Sequence, residues 1–248
     1  MKVLIVGAAG RVGRAATVGL GEEYELVLGD VQPLDDPRYT PLDVLNPEQV
    51  QQAVSQVDTV LYMAIVDSSV FDHGRAPGYA HASFGVQVEG VYNVLRAAAE
   101  TGGKRVLYTS SVSALNGYPE GQMIGSQDRH LGGGVYGITK GFGEELCRMF
   151  HQERGLPVTI LRLGNVYIPE LQGHWQQAHP HPSRVHVQDV VRALGLVLAC
   201  PRPKFALVHL VGDNRGRHWD LEAARALYGW QPTVSFGPDG RPLEPTCP

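Results

Sequence analysis

A parallel α/β sheet with helices on both faces is the fold class that this sequence predicts, and three observations predict it. Short apolar runs without a polar face recur along the chain, as strands buried on both sides require. Helix-period segments separate them, as in repeated strand–helix–strand units. The first unit, Met1–Asp30, is joined by a glycine-rich turn.

Lys2-Val3-Leu4-Ile5-Val6 reads as the first buried strand. It runs into Gly7-Ala8-Ala9-Gly10-Arg11-Val12-Gly13 and a helical pattern through Leu20. A second apolar run, Tyr24–Leu28, ends at Gly29-Asp30. Strand, glycine turn, helix, strand and acid is the order of a dinucleotide-binding unit. Glycines let the backbone turn sharply and approach a pyrophosphate with no Cβ in the way. The helix that follows offers free N–H groups and a positive dipole end to phosphate. Asp30 stands 17 residues after Gly13, close to the ~20 expected of an acid that takes ribose hydroxyls. Its carboxylate repels the extra phosphate of NADP, so the cofactor expected is NAD. Gly7, Gly10, Arg11, Val12, Gly13 and Asp30 are the candidate contacts.

Composition narrows the class. The chain has 248 residues, 43% hydrophobic and 19% charged, with net charge −4. That is an ordinary globular composition, with no basic surplus for nucleic acid or anionic lipid. No apolar run approaches a membrane span of ~20 residues. Met1-Lys2 leads straight into a strand, so no signal peptide is expected. Cys147, Cys200 and Cys247 fit neither a disulfide framework nor a metal pattern, and a cytoplasmic protein is expected.

The remaining elements follow in order. Thr40–Val44 continues the sheet, and Pro47 opens a helix to about Ser55 with Asn46 as N-cap. Val57–Ala64 is a buried strand. The loop Ile65–Tyr79 leaves the carboxyl end of that strand, where ligands of open α/β sheets bind, so Asp67 and Ser68 are candidate substrate contacts and 72–78 a candidate lid. Ala80–Thr101 reads as one long helix with Val86, Val91, Val94, Leu95 and Ala98 buried, ended by Gly102-Gly103. Arg105–Ser111 is a strand, Val135–Arg154 a helix and Pro157–Leu163 a strand. The segment Gln172–Arg184 is polar and carries His174, His179 and His181. Prolines interrupt those histidines, so no metal site is expected. In Arg184 the guanidinium fork suits a substrate carboxylate, or a surface role. A helix to Ala199, a strand Phe205–Val211 and a helix Asp220–Tyr228 capped by Asp220 complete the chain. The tail from Gly237, with four prolines, is expected to be loosely held.

The chemistry centres on Tyr136 and Lys140. Four residues apart, they share a helix face. A phenol is a weak base at neutral pH, and an adjacent ammonium lowers its pKa. Ser111, 25 residues upstream at a strand end, is placed to hydrogen-bond a substrate oxygen. Ser111, Tyr136 and Lys140 are the candidate catalytic residues, and Tyr136 and Lys140 also adjoin the cofactor.

These motifs resemble the short-chain dehydrogenase/reductase superfamily, in particular its extended, NAD-dependent epimerase/dehydratase branch. Gly7, Gly10 and Gly13 match its three glycines, and Ser111, Tyr136 and Lys140 its triad. The resemblance implies a Rossmann-type doubly wound parallel sheet, residues 1–164, with a small C-terminal substrate-binding portion, residues 165–248 together with the loop 65–79. It implies that Asp43 and Val44 lie beside the adenine and that Met63 and Ala64, at the end of the fourth strand, pack on the ribose. Asn165-Val166-Tyr167-Ile168-Pro169 resembles the turn that contacts substrate in sugar-modifying members, His186–Val190 resembles their Val-His-Val-Asp-Asp-Val stretch, and Gly229-Trp230-Gln231-Pro232 resembles their usual ending. Arg105–Ser111, Tyr136–Glu144 and Leu161–Gly164 look most like the uronate dehydrogenases. Two positions depart from these relatives: Val112 follows the serine where they carry asparagine, and Gln87 stands where the superfamily has asparagine.

Substrate contacts are therefore expected at Asp67, Ser68, Ser111, Val112, Asn165 and Arg184. A dehydrogenase of a sugar or sugar acid, a nucleotide-sugar epimerase with tightly held NAD, and a non-catalytic nucleotide-sensing scaffold all fit the fold. The presence of both tyrosine and lysine favours an enzyme. Relatives pair through the helices matching Ala80–Thr101 and Val135–Arg154, which implies a homodimer.

Overall fold

The apolar runs assemble into one seven-stranded sheet in the order β3-β2-β1-β4-β5-β6-β9. All its pairs are parallel. The structure is a computed structural model and describes residues 1–119, 121–171, 181–201 and 203–243. Its strands are β1 (Lys2–Val6), β2 (Glu25–Asp30), β3 (Tyr39–Pro41), β4 (Thr59–Tyr62), β5 (Arg105–Ser111), β6 (Val158–Leu163) and β9 (Phe205–Leu210). A separate two-stranded ladder joins β7 (Val166–Tyr167) to β8 (Val185–His186). Its helices are α1 (Arg11–Leu20), α2 (Pro47–Ser55), α3 (Tyr79–Phe84), α4 (Gly90–Glu100), α5 (Gly134–Arg154), α6 (Val187–Ala199) and α7 (Glu222–Tyr228).

Side-chain alternation along β1 divides the core in two. Val3 and Ile5 join Leu61, Leu161 and Val208 under Ala16, Val190 and Leu194 of α1 and α6. Leu4 and Val6 join Val60, Tyr108 and Ile160 under Val50, Leu95 and Cys147 of α2, α4 and α5. Strand order reverses between β1 and β4, and that switch point places their carboxyl ends side by side. The C-terminal region 165–248 returns β9 to the main sheet beside β6.

Several boundaries differ from the sequence reading. The long helix over 80–101 begins at Tyr79 and is interrupted by a π turn at Gly85–Glu89, where Gly90 N–H reaches back to Gly85 O. The cause lies on another strand: the Tyr62 hydroxyl donates to Val86 O, the carbonyl that an α-helical Gly90 N–H would otherwise use. Val86 is accordingly only half-buried. The last helix starts at Glu222 rather than Asp220, yet Asp220 Oδ1 still accepts from Glu222 N–H at 3.1 Å. The tail is tied down as far as Leu243, whose N–H donates to Ser235 O at 2.8 Å. Gly240 O accepts from the buried Arg184.

Asn46 caps α2 as expected, its side chain accepting from Glu48 N–H at 3.1 Å and Gln49 N–H at 3.2 Å. Asn46→Ala is expected to lower stability by about 1 kcal/mol in urea titration. An unchanged unfolding midpoint would show that the cap contributes nothing.

Candidate active site

The glycine turn sits where the sheet reverses. Gly7 and Ala8 N–H both donate to Gly29 O, at 2.9 and 3.3 Å. Gly7 has φ +90, and a Cβ there would lie 2.6 Å from Ala64 N at the end of β4. A Cβ on Gly13 would lie 2.2 Å from Gly7 O. Only glycine lets the two strand ends and the first turn of α1 approach so closely. Gly10 caps α1 without a side-chain bond, and no acid stands in that first turn. Arg11 and Val12 open the helix, whose first N–H groups are left without a side-chain cap.

Asp30 is bound to this turn. Its Oδ2 accepts from Ala9 N–H and its Oδ1 from Gln32 N–H, both at 2.9 Å. Beyond β3, Asp43 is exposed and accepts from Leu45 N–H at 2.9 Å. Val44 is buried, with its carbonyl taken by Asn93 Nδ2 at 2.9 Å. Met63 N–H donates to Val6 O at 2.8 Å, continuing β4 alongside the glycine turn.

Ser111 ends β5 and caps a 3₁₀ turn over Val112–Leu115, its Oγ accepting from Ser113 N–H at 3.1 Å. Tyr136 and Lys140 lie in the first two turns of α5. Burial pushes the Tyr136 phenol up to about 12, while a hydrogen bond with Ser111 and the charge of Arg11 pull it back. That direction corrects the expectation of a lowered phenol pKa. Burial outweighs the favourable contacts, and the Lys140 ammonium is directed elsewhere: Nζ donates to Thr109 O at 2.8 Å and stands 5.8 Å from the Tyr136 ring centre. Burial also brings Lys140 itself down to about 7, against the opposing charge of Glu144. Ser111 at the end of β5 and Arg11 of the glycine turn thus both favour the ionised form of the Tyr136 phenol.

The expected substrate residues occupy loops after adjacent strands. Asp67 is exposed and caps a 3₁₀ turn over Ser68–Gly74, accepting from Ser69 N–H at 2.9 Å. Val112 is buried directly after Ser111. Asn165 follows β6, and its N–H donates to Ser183 Oγ at 3.2 Å. Arg184 is 0% exposed rather than on the surface. Nη1 donates to Gly240 O, and the guanidinium lies 5.9 Å from the Tyr167 ring centre and 5.7 Å from that of Phe236. His174 and His179 lie outside the described residues. Among those described, no group of three His, Cys, Asp or Glu is arranged to hold a metal, and no helix is long and apolar enough to cross a membrane.

The sequence reading missed Tyr79. It opens α3 almost fully buried, packs 5.9 Å from Phe71, and its phenol raises the pKa of Tyr136. Tyr79, Ser83 and Gln87 recur at four-residue steps, a stripe that was legible once the helix was started one residue earlier. All three are buried. Gln87 Nε2 donates to Thr139 Oγ1 of α5 at 3.1 Å.

Comparison with known proteins agrees with this architecture. The chain is 24% identical to the NAD-dependent glucose-6-phosphate dehydrogenase of Haloferax volcanii, over 98% of each protein. It is 24% identical to the uronate dehydrogenase of Pseudomonas syringae, covering 91% of this chain and 80% of that one. The crystal structure of a variant uronate dehydrogenase from Agrobacterium tumefaciens complexed with NAD superposes with a TM-score of 0.78 at 23% identity, covering 94% and 85% of the two chains. The family model described as the NAD dependent epimerase/dehydratase family matches residues 3–185. With that match spanning most of the sheet, the chain belongs to the NAD dependent epimerase/dehydratase family, enzymes of the extended short-chain dehydrogenase/reductase fold.

Proposed function

We propose that this enzyme oxidises a hydroxyl group of a sugar or sugar acid with NAD, using Ser111, Tyr136 and Lys140. The observation that carries the reading is the glycine cradle at the switch point, where a Cβ on Gly7 would lie 2.6 Å from Ala64 N, beside a helix α5 whose Lys140 Nζ is anchored on Thr109 O at 2.8 Å, two residues before Ser111. It couples the acid–base residue to the part of the fold suited to a dinucleotide.

The residues fit that cofactor. The cradle at Gly7 and Gly13 has no room for a Cβ, and the uncapped start of α1 suits pyrophosphate. Asp30, fixed by two backbone N–H groups, keeps acceptor capacity for ribose hydroxyls and opposes a 2′-phosphate. This favours NAD over NADP. Asp43, Val44, Met63 and Ala64 line the same edge, on the loops after β3 and β4. When bound, NAD supplies the hydride acceptor at this edge.

Tyr136 exchanges a proton with the substrate hydroxyl. Ser111 donates to the substrate oxygen and steadies charge developing there. Lys140, anchored on Thr109 O with Nζ 5.8 Å from the Tyr136 ring centre, is the cation available to favour a phenolate when substrate and cofactor are bound. Asp67, Ser68, Val112 and Asn165 are proposed substrate contacts on the loops after the carboxyl ends of β4, β5 and β6, the edge at which such sheets take ligands. Arg184, buried ahead of β8 against Gly240 O and two rings, serves instead to hold the tail. The names of the relatives point to sugars and sugar acids.

A homodimer is proposed through α3, α4 and α5. Phe84, Tyr92, Ile138 and Phe142 are exposed there, and the Phe84 and Phe142 rings lie 6.0 Å apart. Large aromatic and aliphatic side chains grouped on neighbouring helices support that reading, because exposed apolar patches suit a protein partner.

Two outcomes follow. Tyr136→Phe is expected to reduce turnover by about 10²-fold or more, with NAD affinity retained, because one proton-transferring group is lost. Absorbance of reduced nicotinamide across a panel of uronic acids and aldoses measures this, and full activity of the variant would refute the mechanism. Turnover without net NADH, with NAD retained through purification, would instead indicate epimerisation. For the interface, Phe142→Glu is expected to shift the protein to a monomer in sedimentation velocity, and an unchanged sedimentation coefficient would reject this face.

A further inference from the structure

The buried side of α5 carries more charge than proton exchange at Tyr136 uses. Tyr136, Lys140 and Glu144 follow one another at four-residue steps and so stack along one face. Lys140 and Glu144 are each 1% exposed. Glu144 is gripped from both sides. Ser110 Oγ donates to Oε1 at 2.6 Å, and Arg162 forks onto it through Nε to Oε1 at 2.9 Å and Nη2 to Oε2 at 2.7 Å. Arg162, itself fully buried, also donates to Asp128 O at 2.9 Å and faces His209 Nε2 at 3.3 Å. One carboxylate thereby joins α5, β5 and β6, with β9 behind the arginine.

A buried ion pair of this kind adds little stability over well-packed apolar side chains, since desolvation cancels most of the attraction. Its position suggests another use. Lys140 hydrogen-bonds a neutral acceptor, Thr109 O, at 2.8 Å. The groups around it are the Tyr136 ring and Glu144 on α5 and the Tyr108 ring on β5, with Cys147 further along the helix. Burial keeps Cys147 a neutral thiol and brings His209 down to about 3, so neither contributes charge near neutrality. Arg162 is positive, but it lies against Glu144. The anionic charge that acts on Lys140 is that of Glu144.

We propose that Glu144 is a positioning residue: clamped by Arg162 and Ser110 one turn along α5, it holds Lys140 in the charged form that serves Tyr136. The proposal rests on the oxidoreductase reading above. Burial disfavours the charged form of Lys140 and the Glu144 carboxylate opposes that, so the negative charge held one turn along α5 is what favours the ammonium. The Arg162 fork also fixes the carboxylate in place, which leaves the ammonium on Thr109 O.

The chain has four lysines, Lys2, Lys104, Lys140 and Lys204, so NMR of protein carrying 13C-labelled lysine resolves each titration, with Lys140→Met giving the assignment. Glu144→Gln is expected to lower the Lys140 midpoint by about one pH unit or more. The alkaline limb of kcat should move down with it, because the charged lysine is lost at lower pH. Glu144→Gln with Arg162→Gln avoids stranding the buried Arg162 charge and should move the midpoint in the same direction. This pair covers the case in which the single variant does not fold. A Lys140 midpoint that stays put in a folded variant overturns the proposal, even if stability falls, because a merely structural ion pair would act that way. The titration needs neither substrate nor turnover. Absence of sugar oxidation by the wild-type chain would count against the oxidoreductase reading alone.

Discussion

The contact between the ends of β1 and β4 is the constraint on which the rest of the site depends. Strand order reverses between them, and the chain uses that reversal by bringing Gly7 against Ala64 so closely that no Cβ fits. Because Gly7 N–H is also held by Gly29 O, β1, β2 and β4 end in one fixed edge. Asp30 is then locked onto the turn through Ala9 N–H. Three strand ends and one helix start are thus set relative to each other by backbone atoms, which vary less in position than long side chains.

The opposite wall of the site is set by side chains, and there the physics is less comfortable. Burial drives Tyr136 and Lys140 away from the charged forms that general acid–base chemistry draws on. A lysine whose folded pKa lies below its unfolded value destabilises the fold at low and neutral pH. That cost fades as pH rises from the folded value of about 7 toward the ordinary lysine value of 10.5. The Glu144–Arg162 pair offsets part of this, and it spans α5, β5 and β6 to do so. An arrangement that lowers stability while keeping a lysine near its midpoint is better explained by function than by folding.

What the sequence made legible was local. β1, α1 and the Asn46 cap follow from apolar runs, period and capping chemistry within a few residues, and the structure reproduces them. What it hid was set by distant partners. The π turn at Gly85–Glu89 arises from Tyr62, 24 residues upstream of Val86. The fork of Arg184 suits a substrate carboxylate or a surface role, yet Gly240 and two aromatic rings enclose it. The same contact holds a tail whose prolines suggested looseness. The candidate site divides in the same way: its glycines, Asp30 and the Ser111, Tyr136 and Lys140 set stand out by spacing, whereas Tyr79 and the role of Glu144 emerge only once α3, α5 and β6 are packed.

Helix α5 ties these themes together, because its two faces carry opposite demands. Tyr136, Lys140 and Glu144 line one side, while Ile138 and Phe142, each two residues on from Tyr136 and Lys140, point the other way and are exposed. A helix held by buried hydrogen bonds on its inner face has little freedom to shift when its outer face meets a partner. Packing a second copy against Phe84 and Phe142 would therefore press α5 onto β5 and β6 rather than move it. The inner face of α5 is thus fixed by Lys140 on Thr109 O and Glu144 on Ser110 and Arg162, whatever its apolar outer face meets.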